Sequence, residues 1–192
     1  MADPAPSADT LATAARTATR RGPPPVHLWN PPFCGDIDMR IARDGTWFYL
    51  GTPIGRKPLV KLFSSILKRE GDAYFLVTPV EKVGIRVDDA PFVAVDFTVA
   101  GAGAGQRITF TTPTDDETTA GPDNPIRVAL DPATGEPAPY VHVRRGLEAL
   151  IDRKSFYRLV EIAEHRPHAG ASWLGVTSDG TFFPFLPSDQ LP

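Results

Sequence analysis

Cysteine is almost absent from this chain: Cys34 stands alone among 192 residues, so no internal disulfide can staple the fold. A disulfide scaffold of the secreted type is thereby excluded. Long apolar runs are lacking too, and nothing approaches the roughly 18 to 20 residues that a bilayer span needs. Basic excess is missing as well, because 20 Lys and Arg face 23 Asp and Glu for a net charge of -3. Without a positive field there is no long-range attraction for a phosphate backbone, so neither a nucleic acid nor a membrane is expected as a partner. No Walker loop, Ser nucleophile elbow, paired-Cys zinc pattern or His-Glu-x-x-His motif occurs, and the chain carries only four His. No catalytic residue, no metal and no cofactor is therefore expected. The first 25 residues hold one large aliphatic, Leu11, with Asp3 and Asp9 among Ala, Thr, Pro and Arg. That stretch offers no apolar core for a signal peptide, and residues 1–25 are expected to be a disordered tail on a cytoplasmic protein.

What the chain has in plenty is punctuation. It holds 21 Pro and 16 Gly, yet 42% of its residues are apolar, with 11 Phe, 3 Trp and 4 Tyr. Such a composition builds a packed core from many short elements. Residues 38–43 and 46–50 alternate as strands around Asp44-Gly45, a turn dipeptide. After Pro58, the apolar residues Leu59, Leu62, Phe63, Ile66 and Leu67 recur at helical spacing, and Gly71-Asp72 closes that helix. Residues 74–78, 82–87 and 92–99 read as a meander of strands beside it. The glycines of 101–105 cap a hairpin, since no helix follows them to cradle a phosphate. Residues 113–125 read as a polar loop. Residues 126–130 and 140–143 pair across a turn at 131–135, a second helix runs from Asp152 to about Glu164, and residues 173–177 and 181–185 form a last hairpin about Ser178-Asp179-Gly180.

Laying the second helix on the first pairs Ile54 with Ile151, Arg56 with Arg153, Lys57 with Lys154 and Leu62 with Leu159. Each copy then runs strand, turn, strand, Arg-Lys, amphipathic helix, strand, turn, strand. The expected fold is α+β with two structurally repeated halves, each a small antiparallel, strongly curved or barrel-like sheet with one main amphipathic helix. The halves are expected over residues 26–99 and 100–192.

Two constellations bear on chemistry. An Arg at a helix N-terminus, beside free backbone N–H groups, can make an anion pocket, and the paired Arg56 and Arg153 fit that pattern. The plainer account is that each Arg braces its own half through strand-end carbonyls. Asp36 and Asp38, two apart, face one side of an extended chain, as a metal or a proton-transfer pair requires, although turn capping serves equally. Glu81 is expected to pair with Arg56 or Arg153. Cys34 shows no partner base, and His165 and His168 sit about Pro167 where the second helix ends.

Three stretches together are distinctive: CGDIDMRIARDGTWFYLGTPIGRKPLVKLFSSIL, YFLVTPVEKVGIRVDDAPFVAVDF and YVHVRRGLEALIDRKSFYRLVEIAE. They resemble the proteobacterial family catalogued as Domain of Unknown Function 1285, over roughly Trp29 to Phe185. The resemblance implies a two-part α+β fold with repeated motifs and a binding or signal-transduction role. It brings no catalytic residues. Cys34, Asp36, Asp38, Trp47, Arg56, Glu81, Asp88, Arg153 and Tyr157 are among the positions that match the family's pattern.

The function expected is a cytoplasmic binding or signal-transduction module, with a small anionic ligand or a protein as partner. Its site is expected where the halves meet, at Trp47, Tyr49, Arg56, Asp88, Arg153 and Tyr157. A hydrolase using Asp36, Asp38 and Glu81, with Cys34, is the alternative, and it requires those carboxylates to converge. A third reading is a structural homodimer joined through a strand edge or the aromatic hairpin at Trp47 to Tyr49.

Overall fold

The computed structural model describes residues 7–19, 23–131 and 134–190. The chain divides into two compact units with the boundary between Pro91 and Phe92. The expected boundary at 99/100 is displaced because the third run of the anticipated meander belongs to the second unit. Residues 92–94 and 96–100 find their strand partners there.

The first unit holds α1 (Ala8–Thr19), one 3-10 turn (Val26–Leu28), β1 (Phe33–Ile41), β2 (Trp47–Tyr49) and β3 (Thr52–Pro53). It continues through α2 (Lys57–Ser65), β4 (Leu67–Glu70), β5 (Ala73–Val77) and β6 (Lys82–Val87). Its strands make one six-stranded sheet in the order β3-β2-β1-β6-β5-β4. All neighbours are antiparallel except β1 and β6, which run parallel with Asp36 beside Gly84 and Ile41 beside Val87. The Asp44-Gly45 turn forms as expected, with Gly45 at φ 85°. Its Asp44 carboxylate accepts the Thr46 N–H at 2.9 Å, and that hydrogen bond holds the carboxyl below its ordinary value. Met39, Ile41, Trp47, Phe63, Ile66, Leu76 and Val83 are buried as the core, and Trp47 stacks on Phe63 with ring centroids 6.3 Å apart.

The expectation of a disordered tail fails over residues 8–19, while residues 1–6 and 20–22 lie outside the described residues. Ser7 and Thr10 cap α1 reciprocally, each side-chain oxygen accepting the other's backbone N–H, at 3.3 and 3.1 Å. One large aliphatic suffices because small residues share its face: Leu11, Ala12 and Ala15 are buried at helical spacing beside α2. Alanine also carries the highest helix propensity, so little packing is needed to hold the segment.

The second unit runs β7 (Phe92–Ala94), β8 (Asp96–Ala100), β9 (Arg107–Thr111), β10 (Glu117–Thr119), β11 (Ile126–Leu130), β12 (Pro137–Arg144) and β13 (Leu147–Ile151). It ends with α3 (Arg153–Glu161), β14 (Glu164–His168), β15 (Ala171–Ser178) and β16 (Thr181–Pro187). These strands form sheets in the orders β10-β9-β8, β11-β12-β13-β7 and β14-β15-β16. Only β7 and β13 run parallel. The buried Ser178 Oγ accepts the Ile108 N–H at 2.9 Å and donates to the Ala120 carbonyl at 2.7 Å, tying the end of β15 to β9 and to the segment after β10. The 101–105 glycines cap the β8–β9 hairpin as expected, and a Cβ on Gly101 would stand 2.5 Å from the Gly105 carbonyl oxygen. Residues 113–125 are not all loop, since 117–119 add β10 to β9.

Both units contain a hairpin, a nine-residue helix and three antiparallel strands, so the common element order is present. The anticipated pairing of Arg56 with Arg153 is one residue out. Arg56 precedes α2 as its N-cap, whereas Arg153 is the first residue within α3 and Asp152 is its cap. At the other ends, the Ile66 N–H bonds the Phe63 carbonyl and the Ile162 N–H bonds the Leu159 carbonyl. Phe63 thus corresponds to Leu159, and both are fully buried. Both helices are shorter than expected, because β4 and β14 begin at once and pair with β5 and β15. His165 and His168 accordingly lie in a strand. The purely antiparallel, barrel-like sheets are also corrected. Each unit has one parallel pair, and all four described sheets are open.

Candidate functional site

A recess of the first unit lies between the outer face of α1 and the β5–β6 connection. It encloses about 770 Å³ and is lined by Asp9, Thr10, Thr13, Ala14, Thr17, Ala18, Pro79, Val80 and Glu81. Three threonines would ordinarily make such a wall polar. Here the Thr13 hydroxyl donates to the Asp9 carbonyl at 2.9 Å, the Thr17 hydroxyl donates to the Thr13 carbonyl at 3.2 Å, and the Thr10 hydroxyl donates to the Ser7 carbonyl at 2.9 Å. With their hydroxyls turned back onto the helix, the threonines offer the groove mainly methyl groups.

The opposite wall is a four-residue turn held by Thr78. Its buried Oγ1 accepts the N–H groups of Glu81 at 3.2 Å and Val80 at 3.4 Å, while the Thr78 N–H bonds the Glu81 carbonyl at 2.9 Å. The turn thus pushes Val80 outward, 69% exposed, and sets Glu81 at the groove's edge. The ion pair expected of Glu81 does not form. Arg153 pairs instead with Glu136 at 3.2 Å, and Glu81 has no cationic partner among the described residues. Partial burial pushes the Glu81 carboxyl above its ordinary value.

That shift carries a sign for stability. Between the ordinary and the raised value the folded chain binds more protons than the unfolded one, so stability falls as pH rises through this window. Glu81→Gln is therefore expected to melt at a higher temperature than wild type at pH 7. The gap should close once pH drops below the ordinary carboxylate range. Thermal melts at pH 7 and pH 4 measure it, and a lower midpoint for the variant at pH 7 would show that Glu81 makes a stabilising contact.

Asp36 and Asp38 line a different and smaller recess of about 320 Å³ with Ile37, Met39, Arg40 and residues 84–86. The Asp36 carboxylate lies over Gly84, where any Cβ would come within 2.0 Å of it. Glu81 belongs to the larger groove, so the three carboxylates proposed for hydrolysis do not line one site. Among the described residues, no group of three His, Cys, Asp or Glu side chains is placed to hold a metal ion. Cys34 is exposed, and its thiol lies 3.5 Å from the Pro32 carbonyl.

The six residues expected to bind ligand divide four and two between the units. Trp47 is 3% exposed and belongs to the core, so its indole is not offered to a ligand or to a second copy. The Tyr49 hydroxyl accepts the Ala8 N–H at 3.4 Å and so helps to seat α1. Arg56 is exposed, with no ion pair among the described residues. Asp88 accepts from Arg40 at 2.6 Å and lies 3.6 Å from Arg86, while Arg40 also covers the Phe48 ring at 4.6 Å. In the second unit, Arg153 is held by Glu136, and Tyr157 is 59% exposed on α3.

Two family models match the chain in tandem: Domain of unknown function (DUF1285), N-terminal domain, over residues 24–90, and Protein of unknown function (DUF1285), C-terminal domain, over residues 91–185. The chain belongs to the DUF1285 family. The junction of the two DUF1285 models falls at the boundary between the units, within one residue. The crystal structure of a DUF1285 family protein from Silicibacter pomeroyi DSS-3 is similar to it at 64% identity and a TM-score of 0.86, covering 99% of this chain and 98% of that one. A DUF1285 family protein from Shewanella baltica OS155 is 32% identical with a TM-score of 0.50, covering 64% of this chain and 90% of that one. No curated protein matches.

The matched DUF1285 segment begins at residue 24, after α1, so one wall of the groove stands outside the family models while the Thr78–Glu81 turn stands within them. Sequence reasoning singled out Glu81 but missed Thr10, Thr13, Thr17 and Val80. The available signal was the Ser7 to Thr10 cap followed by Ala8, Leu11, Ala12 and Ala15, a helical face written in small residues.

Proposed function

We propose that this DUF1285 protein is a cytoplasmic, non-enzymatic binding module of the kind used in signal transduction. It takes a small molecule with a largely apolar body in the groove between α1 and the Thr78–Glu81 turn. The observation that carries the reading is the groove itself: a drug-sized volume walled by threonine methyls, Ala14, Ala18, Pro79 and a protruding Val80. The separate placement of Asp36 and Asp38 from Glu81 favours binding over hydrolysis.

A thermal-shift panel of small amphipathic molecules tests it. A ligand of the folded state raises the melting midpoint progressively with concentration. Ala14→Trp, which fills the groove from the half-exposed side of α1, is expected to abolish the shift while leaving the unliganded midpoint close to wild type. A shift that survives Ala14→Trp would place the ligand elsewhere and overturn the assignment.

A further inference from the structure

We infer that the groove between α1 and the Thr78–Glu81 turn selects organic cations, with Glu81 facing the protonated nitrogen and the threonine methyls facing an aliphatic or aromatic body. The inference rests on the groove being a binding site and adds the charge of what enters it. Among the described residues its two ionisable lining residues, Asp9 and Glu81, are both acidic, and no Lys, Arg or His lines it. An anion, the class that Arg56 and Arg153 suggest, would meet two carboxylates there and no compensating cation among the described residues. A neutral apolar molecule could fill the volume but would leave the Glu81 carboxylate partly desolvated and unpaired. A cation answers both demands at once.

Glu81 is better placed for this role than Asp9. Asp9 sits in the first turn of α1, where the N-terminal end of the helix dipole already favours its charge. Glu81 follows β5 on a turn whose backbone is fixed by Thr78, so its side chain springs from a fixed point at the groove's edge, and among the described residues it has no salt bridge to give up on binding. Pairing a partly desolvated carboxylate with an ammonium also strengthens the hydrogen bond over one between neutral groups. The raised proton affinity of Glu81 agrees with this geometry, and it predicts that cation binding weakens as pH falls and the carboxyl takes up a proton.

The test uses 2-phenylethylamine and 2-phenylethanol, which share one body and differ in charge, titrated into the full chain at pH 7 by calorimetry or ligand-observed NMR. The amine is expected to bind at least about fivefold more tightly than the alcohol, the equivalent of one modest ion pair. Glu81→Gln should bring the amine down to the alcohol's affinity and leave the alcohol unchanged, while Asp9→Asn should keep the preference. Equal affinities in the wild type, or a preference that survives Glu81→Gln, would overturn the charge selection and leave the groove standing as a site. Failure of both probes and of every member of the amphipathic panel would overturn the groove as a site, and the selection with it.

Discussion

Gly175→Ala is expected to cost roughly 3 kcal/mol of stability or more, the upper range for forcing extra volume into a packed position. Gly175 lies in β15 opposite Pro184 of β16, at a point where the register slips between Leu174 and Gly175. That irregularity brings the two strands close. A Cβ there would stand 2.2 Å from the Phe183 carbonyl oxygen, 2.9 Å from the Pro184 Cα and 2.8 Å from the Phe182 ring. Two of those neighbours are backbone, so the methyl cannot be accommodated by turning a side chain. The strands must part, and Phe183 and Phe185, both buried on β16, would part with them. Urea unfolding should show the loss against Gly55→Ala, a control whose Cβ meets nothing within 4 Å and whose effect should stay within about 0.5 kcal/mol. Equal midpoints for the two variants would contradict the close approach of β15 and β16.

Phe63→Ala should be comparably severe, at about 3 to 5 kcal/mol for truncating a fully buried phenylalanine. Phe63 comes from α2 and its ring lies nearly parallel to that of Trp47 on β2, at an interplanar angle of 20°. The pair therefore joins the helix to the sheet. A double-mutant cycle with Trp47→Ala should give a coupling of about 0.5 to 1.5 kcal/mol, the range for stacked aromatic pairs beyond simple burial. Additive losses would mean that the rings pack independently. The same cycle assigns Trp47 to the stability of the first unit.

Much of the strand and turn pattern could be read in advance because its signals are local. Asp44-Gly45, the 101–105 glycines and Ser178-Asp179-Gly180 are turn chemistry, and each turn stands where it was expected. The two helices were placed but drawn too long. Ile66 and Leu67 continue a helical spacing, yet they are buried at the helix cap and the first residue of β4, and spacing alone does not separate those outcomes. What local reading could not supply was partnership. That β1 pairs with β6 and β7 with β13, both in parallel, depends on segments far apart in sequence, so the residues about 92–99 were joined to the wrong unit. The candidate site was legible only at Glu81. Trp47 was misjudged because an aromatic in a hairpin looks the same whether it faces the core or solvent. The α1 wall was missed because alanine faces give a weak periodic signal.

The parallel pairing of β7 with β13 sets an order of events during synthesis. The first unit has all of its strands once Val87 has been made, and it can close as soon as that stretch leaves the ribosome. Phe92, Val93 and Ala94 come next, and all three are buried in the finished protein. Their partners, Ala149 to Ile151, are still unmade. At about 5 to 20 residues per second, that apolar triplet waits roughly 3 to 11 seconds for its neighbour. Between the making of Ala94 and the making of Ile151 the triplet has no strand partner to cover it, and slower translation through that stretch lengthens the exposure.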